Sequence, residues 1–201
     1  MKKIIILLTT LFVSLSSQAT LITVELNQNT YQVGDVLTAN FIISEIEDDA
    51  SALQRMLSGF GFDVSWNNVM IEYSAVRFGD KLDAAPGFSV QSPINLMANS
   101  LTLSETSYSW SDELFAVQNG LSRFLLASVD FNVVGAGNGL GSLDLSNVVL
   151  WDDFNIDFSD INSRNKEYSV TSATPIDVPE PSSMVLMLMG FIFLVRKKIM
   201  S

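Results

Sequence analysis

The sequence predicts an all-β sandwich with an apolar segment at each end of the chain. Three observations predict it. Apolar and polar residues alternate with a period of two in four separate stretches. Turn-forming residues fall between them, at 33–35, 66–68, 85–87 and 135–139. Only two short stretches, 48–59 and 111–120, have helical spacing, and neither is long enough to organise a fold.

The first element is an export signal. Lys2 and Lys3 precede an almost wholly apolar run over 4–13, and Ser17 and Ala19 put small residues at a cleavage site. Charge, apolar core and small residues in that order predict a signal peptide over 1–19, cut after Ala19.

Strands follow. Ile22, Val24 and Leu26 share one face of 21–27, as Leu37, Ala39, Phe41 and Ile43 do in 37–44. Phe60, Phe62, Val64 and Trp66 share a face of 59–66, which places Trp66 in the core. Leu125, Ala127, Val129, Phe131 and Val133 are set opposite Leu126, Ser128, Asp130 and Asn132. Successive strand side chains point to opposite faces, so each stretch has one buried and one wet side. The segment 69–78 is apolar on both faces and predicts a central strand, and 100–105, 140–150 and 167–173 complete the set. The stretch 48–59 predicts a helix through Leu53, Met56 and Leu57, and 111–120 predicts one capped by Ser111 and ended at Gly120.

Composition excludes several kinds of function. There is no histidine and no cysteine, which removes Ser-His-Asp and Cys-His catalysis and imidazole metal sites. No disulfide can form, so burial alone must stabilise the fold. Five of the eleven bases lie in the terminal segments, leaving six against 21 acids over 20–177, a net charge of −15. Such a surface repels nucleic acid and anionic lipid. No spacing among the acids singles out a glycosidase pair, so a non-catalytic protein is expected.

Two sets of residues are candidate sites. Asp153, Asn155 and Asp157 alternate oxygen ligands as a calcium loop does, and calcium is the only cofactor that this chemistry predicts. Phe158 and Arg164 stand where an EF-hand needs glycine and glutamate. Tyr108 and Trp110, set among serines and threonines, would share one strand face as a platform for a sugar ring.

The stretches "YQVGDVLTANFIISEI", "LSGFGFDVSWNNVMIEYSAVRFGDKL" and "FLLASVDFNVVGAGNGLGSLDLSNVVLWD" resemble, in order and spacing, the pattern of a cohesin-like domain over about 21–173. The resemblance implies a flattened jelly-roll sandwich of about nine strands with one or two short helices, related to cellulose-binding modules. It also implies a partner bound through one sheet face. The chain departs from cellulosomal proteins in having neither a dockerin-type repeat nor a catalytic module, so a cellulosome role does not follow.

The chain closes on a linker over 174–183, an apolar run over 184–195 and a basic tail over 196–201. Twelve apolar residues make a helix of about 18 Å, short of the ~30 Å hydrocarbon core. Arg196, Lys197 and Lys198 set its far end on the cytoplasmic side. Pro179 and Pro181 keep the linker extended, in a form a protease can grip. Val178, Pro179, Glu180 and Pro181, the short apolar helix and the basic end together resemble the PEP-CTERM sorting signal. That resemblance implies an exosortase-type processing protease as partner, an inner-membrane intermediate facing the periplasm, and release to the cell surface or extracellular matrix. The sandwich is then expected to bind extracellular polysaccharide or a surface protein. A self-associating adhesion module and a polysaccharide-acting enzyme are the alternatives.

Overall fold

The computed structural model describes residues 19–48 and 54–172. The signal segment, the linker, the apolar run over 184–195 and the basic tail lie outside the described residues. Eleven strands run β1 Thr20–Leu26, β2 Thr30–Gln32, β3 Val36–Ser44, β4 Leu57–Trp66, β5 Ile71–Phe78, β6 Ser89–Met97, β7 Ser100–Ser107, β8 Arg123–Val133, β9 Leu140–Asp152, β10 Ile161–Arg164 and β11 Lys166–Thr171. One helix, α1 Ser111–Gln118, joins β7 to β8. The strands form a five-stranded sheet, β10-β1-β3-β8-β5, and a six-stranded sheet, β2-β11-β9-β4-β7-β6. Pairing is antiparallel except where β10 joins β1 and β2 joins β11. No helix among the described residues is long and apolar enough to cross a membrane.

The inward faces of the two sheets make one core. Phe41 of one sheet meets Phe62 of the other at 5.1 Å between ring centroids, and Phe60 stacks on Phe62 at 5.5 Å. Trp66 is buried with its ring edge-on to Phe131 at 5.0 Å, as its place in the alternation predicts. Each fully buried large apolar side chain contributes roughly 1.5–3 kcal/mol, and without disulfides this burial is the main stabilising term.

Two bulges correct the predicted faces. Phe41 pairs with Ala127 but Ile42 pairs with Leu125, so Leu126 is an extra residue. The phase inverts there: Leu126 and Phe124 enter the core and Leu125 turns outward beside Ile42. In β5 the pairing skips Ser74, so Ile71 faces in before the bulge and Val76 and Phe78 pack on the core after it. The two-faced apolarity of 69–78 comes from this inversion, and β5 is an edge strand rather than a central one.

The helices also differ from expectation. The predicted helix over 48–59 is absent from its described part: Asp48 bridges Gln54, and residues from Leu57 onward belong to β4. Residues 49–53 lie outside the described residues. The helix at 111–120 forms, but Trp110 rather than Ser111 is its N-cap, its N–H donating to Glu113 Oε2 at 2.8 Å. Gln118 docks α1 on the sandwich as a substitute strand neighbour. Its Oε1 accepts from Leu57 N at 2.8 Å, and its Nε2 donates to Leu57 O at 2.8 Å and Lys81 O at 2.9 Å.

Candidate functional site

The outer faces of the two sheets differ in chemistry. On the five-stranded sheet the polar groups are tied to one another. Arg77 donates to Asp130 at 2.6 and 3.0 Å, Thr38 donates to the same carboxylate, and Arg123 bridges Glu25. Arg77 holds the Asp130 carboxyl below the usual range.

The outer face of β9, β4, β7 and β6 is built from small residues. Cross-strand register sets Trp151, Gly59, Thr106 and Val90 in one row, and Val149, Gly61, Ser104 and Ser92 in the next. The Trp151 indole lies against Gly59, where an added Cβ would come within 2.2 Å of the ring. Only glycine admits this approach, so the floor is flat beneath a half-buried indole. Asp63 sits in the third row, its carboxylate held by two neutral donors. Thr102 donates to its Oδ1 and Asn147 to its Oδ2, holding its carboxyl below the usual range, with Thr102 the larger cause.

Tyr108 belongs to the border of this face. Its N–H donates to Phe88 O at 2.6 Å, which extends the β6–β7 ladder by one pair, and both rings are exposed. Trp110 is exposed too, but it starts α1 and has left the strand. Tyr108 and Trp110 are therefore not two steps along one strand face, because the helix cap intervenes.

The acidic turn after β9 is organised around Asp152, a residue outside the predicted calcium set. Asp152 Oδ1 accepts from Phe154 N at 2.9 Å and Ile156 N at 2.8 Å. Its Oδ2 accepts from Arg55 Nε at 3.0 Å and Nη2 at 2.7 Å. Arg55 also pairs with Glu47, donates to Ile156 O at 2.7 Å and lies 4.1 Å from the Phe158 ring centre. The cation at the centre of this turn is a guanidinium. Asp157 offers it a backbone carbonyl at 3.4 Å, and Asn155 takes a left-handed conformation with φ 57°. Among the described residues no three acidic side chains converge as a metal-holding group.

Comparison with known proteins fits this geometry. A type II cohesin from a cohesin–X-dockerin complex of Acetivibrio cellulolyticus superposes with a TM-score of 0.60 at 14% identity, covering 76% of this chain and 99% of that one. The cohesin module of a Clostridium perfringens family 33 glycoside hydrolase gives 0.59 at 12% identity, covering 78% and 99%. A non-cellulosomal cohesin of the archaeon Archaeoglobus fulgidus gives 0.52 at 15%, covering 77% and 92%. The sandwich is cohesin-like in fold. Residues 177–198 match the PEP-CTERM protein-sorting motif. That motif marks an exported protein sorted through exosortase to the surface. No curated protein matches the chain.

Sequence reasoning passed over one buried carboxylate of the cohesin-like sandwich. Glu105 points inward from β7 and is 1% exposed, with Gln91 Nε2 at 2.9 Å. Burial raises its pKa, the Gln91 bond opposes this, and Asp83 raises it further. The folded state therefore keeps this proton to a higher pH than the unfolded chain. The contribution of Glu105 to stability is fullest below the ordinary glutamate range and falls as pH rises through the folded value. Glu105→Gln is expected to remove that fall. Urea midpoints should favour the variant at about pH 8 and converge with wild type at about pH 4. A difference independent of pH would contradict the assignment.

Proposed function

We propose that this chain is a non-catalytic surface or matrix protein whose cohesin-like sandwich binds extracellular polysaccharide or a surface protein. The face it uses is the outer side of β9, β4, β7 and β6. The signal peptide over 1–19 sends it across the inner membrane. The segment over 184–195 then holds it there, with the sandwich in the periplasm and Arg196, Lys197 and Lys198 inside. An exosortase-type protease cuts at Val178, Pro179, Glu180 and Pro181, and the sandwich moves to the surface or matrix. The sorting motif at 177–198 and the cohesin-like fold support this reading.

The observation that carries the binding face is the Trp151 indole lying over Gly59, with Phe88 and Tyr108 exposed at the border. A flat, aromatic-edged surface whose two outer rows carry no charged side chain desolvates at low cost and offers rings on which a sugar or an apolar side chain can stack. On the opposite sheet Arg77 is paired with Asp130 and Arg123 with Glu25.

Full chain held in nanodiscs and applied to glycan arrays and to surface proteins should retain a ligand. Trp151→Ala and Tyr108→Ala should each weaken retention by roughly tenfold. Retention unchanged by both substitutions would reject this face.

A further inference from the structure

We propose that a cleft beside α1 is a second docking site, for a protein segment that places neighbouring large apolar side chains next to lysine or arginine. The proposal rests on the reading of the chain as a binding module and adds a site away from the sheet face.

The cleft has a volume of about 840 Å³. Ser111 and Phe115, one turn apart on α1, and the C-cap Asn119 supply one wall. Phe154 and Ile156, on the turn after β9, supply the other, with buried Met56 between them. Phe115 is 52% exposed, Phe154 73% and Ile156 58%. Three large apolar side chains converging on one hollow are what a protein-binding surface presents.

The walls are fixed before any partner arrives. Gln118 anchors α1 to Leu57, and Gln54 Nε2 donates to Gln118 O and Leu121 O at the helix end. Asp152 and Arg55 hold the turn that carries Phe154 and Ile156. Little ordering is left for binding to impose.

Charge selects the occupant. Glu47, Asp48, Asp152 and Asp153 line the cleft against a single base, Arg55. Arg55 is committed to Glu47, Asp152 and Ile156 O. The carboxylates of Asp48 and Asp153 have no side-chain partner among the described residues. A partner that covered the apolar walls with no cation would desolvate these acids unpaired, and an acidic one would be repelled. An apolar segment carrying lysine or arginine meets both demands.

The test uses the full chain in zwitterionic nanodiscs, with empty nanodiscs as reference. The probe is a synthetic peptide alternating Leu-Phe pairs with single lysines. Its counterpart carries glutamates in place of the lysines. Wild type should bind the lysine peptide and not the glutamate one. Phe154→Ser with Ile156→Ser should weaken binding by roughly tenfold. Asp48→Asn with Asp153→Asn should weaken it several-fold and flatten its salt dependence. Trp151→Ala should leave it unchanged. No binding of the lysine peptide, or equal binding of both peptides, overturns the proposal. So does loss on Trp151→Ala without loss on Phe154→Ser, a result that leaves the sheet-face reading standing.

Discussion

Arg55→Met will lower the unfolding free energy by about 3–5 kcal/mol, the cost of stripping one partner from a buried ion pair. The Asp152 side chain is 6% exposed and that of Arg55 10%. Without the guanidinium, two carboxylates remain beside each other with water largely excluded. The Ile156 carbonyl loses a donor and the Phe158 ring loses its cation. The turn carrying Phe154 and Ile156 would keep the bonds to Asp152 Oδ1 and its main-chain bonds, but lose the cation that ties it to Glu47. Arg55→Lys should recover less than half of the loss. One ammonium cannot reproduce two parallel bonds to Asp152 together with the reach to Ile156. The double variant Arg55→Met, Asp152→Asn should be more stable than Arg55→Met alone, because it removes the stranded charge. Urea denaturation of the full chain measures all three. A loss below about 1 kcal/mol would mean that the pair behaves as a surface one.

The second large effect is expected in the tail. Replacing Pro179 and Pro181 with alanine removes two of the three residues of the Pro-Glu-Pro core, while the apolar run and the bases stay intact. Precursor should then accumulate in the membrane fraction, and released protein should fall by roughly tenfold or more. The sandwich should fold unchanged in that variant, since β11 ends at Thr171, before the linker begins. Release at the wild-type level would separate the motif from processing.

Much of the architecture was legible because alternation is a local signal. Leu37, Ala39, Phe41 and Ile43 are all buried, and so are Phe60, Phe62, Val64 and Trp66. What escaped depends on residues distant in the chain. β2 is three residues long, too short to show a period. β6 contains Pro93, which an edge strand tolerates and a central one would not. The polar β10 is a strand only because β1 pairs with it in parallel. The bulges at Ser74 and Leu126 reversed the alternation within strands that were otherwise correctly placed.

The site was less legible for the same reason. Gly59 and Gly61 sit on a strand that the alternation marks, but their role depends on Trp151 and Val149 opposite them on β9. Arg55 falls in a stretch with helical spacing, and its partner Asp152 lies at the far end of the sandwich sequence. The acidic density around Asp153, Asn155 and Asp157 is visible in the sequence, but the guanidinium that binds the neighbouring Asp152 is not. The sorting motif was fully legible, because its three parts are contiguous and act through order rather than through folding.

The most direct measurement is the intact mass of the protein released from producing cells. A chain that begins at Thr20 and ends near Pro181 is expected, lacking both the signal segment and the apolar run with its bases. Released protein that still carries Met184 through Ser201 would contradict sorting by cleavage.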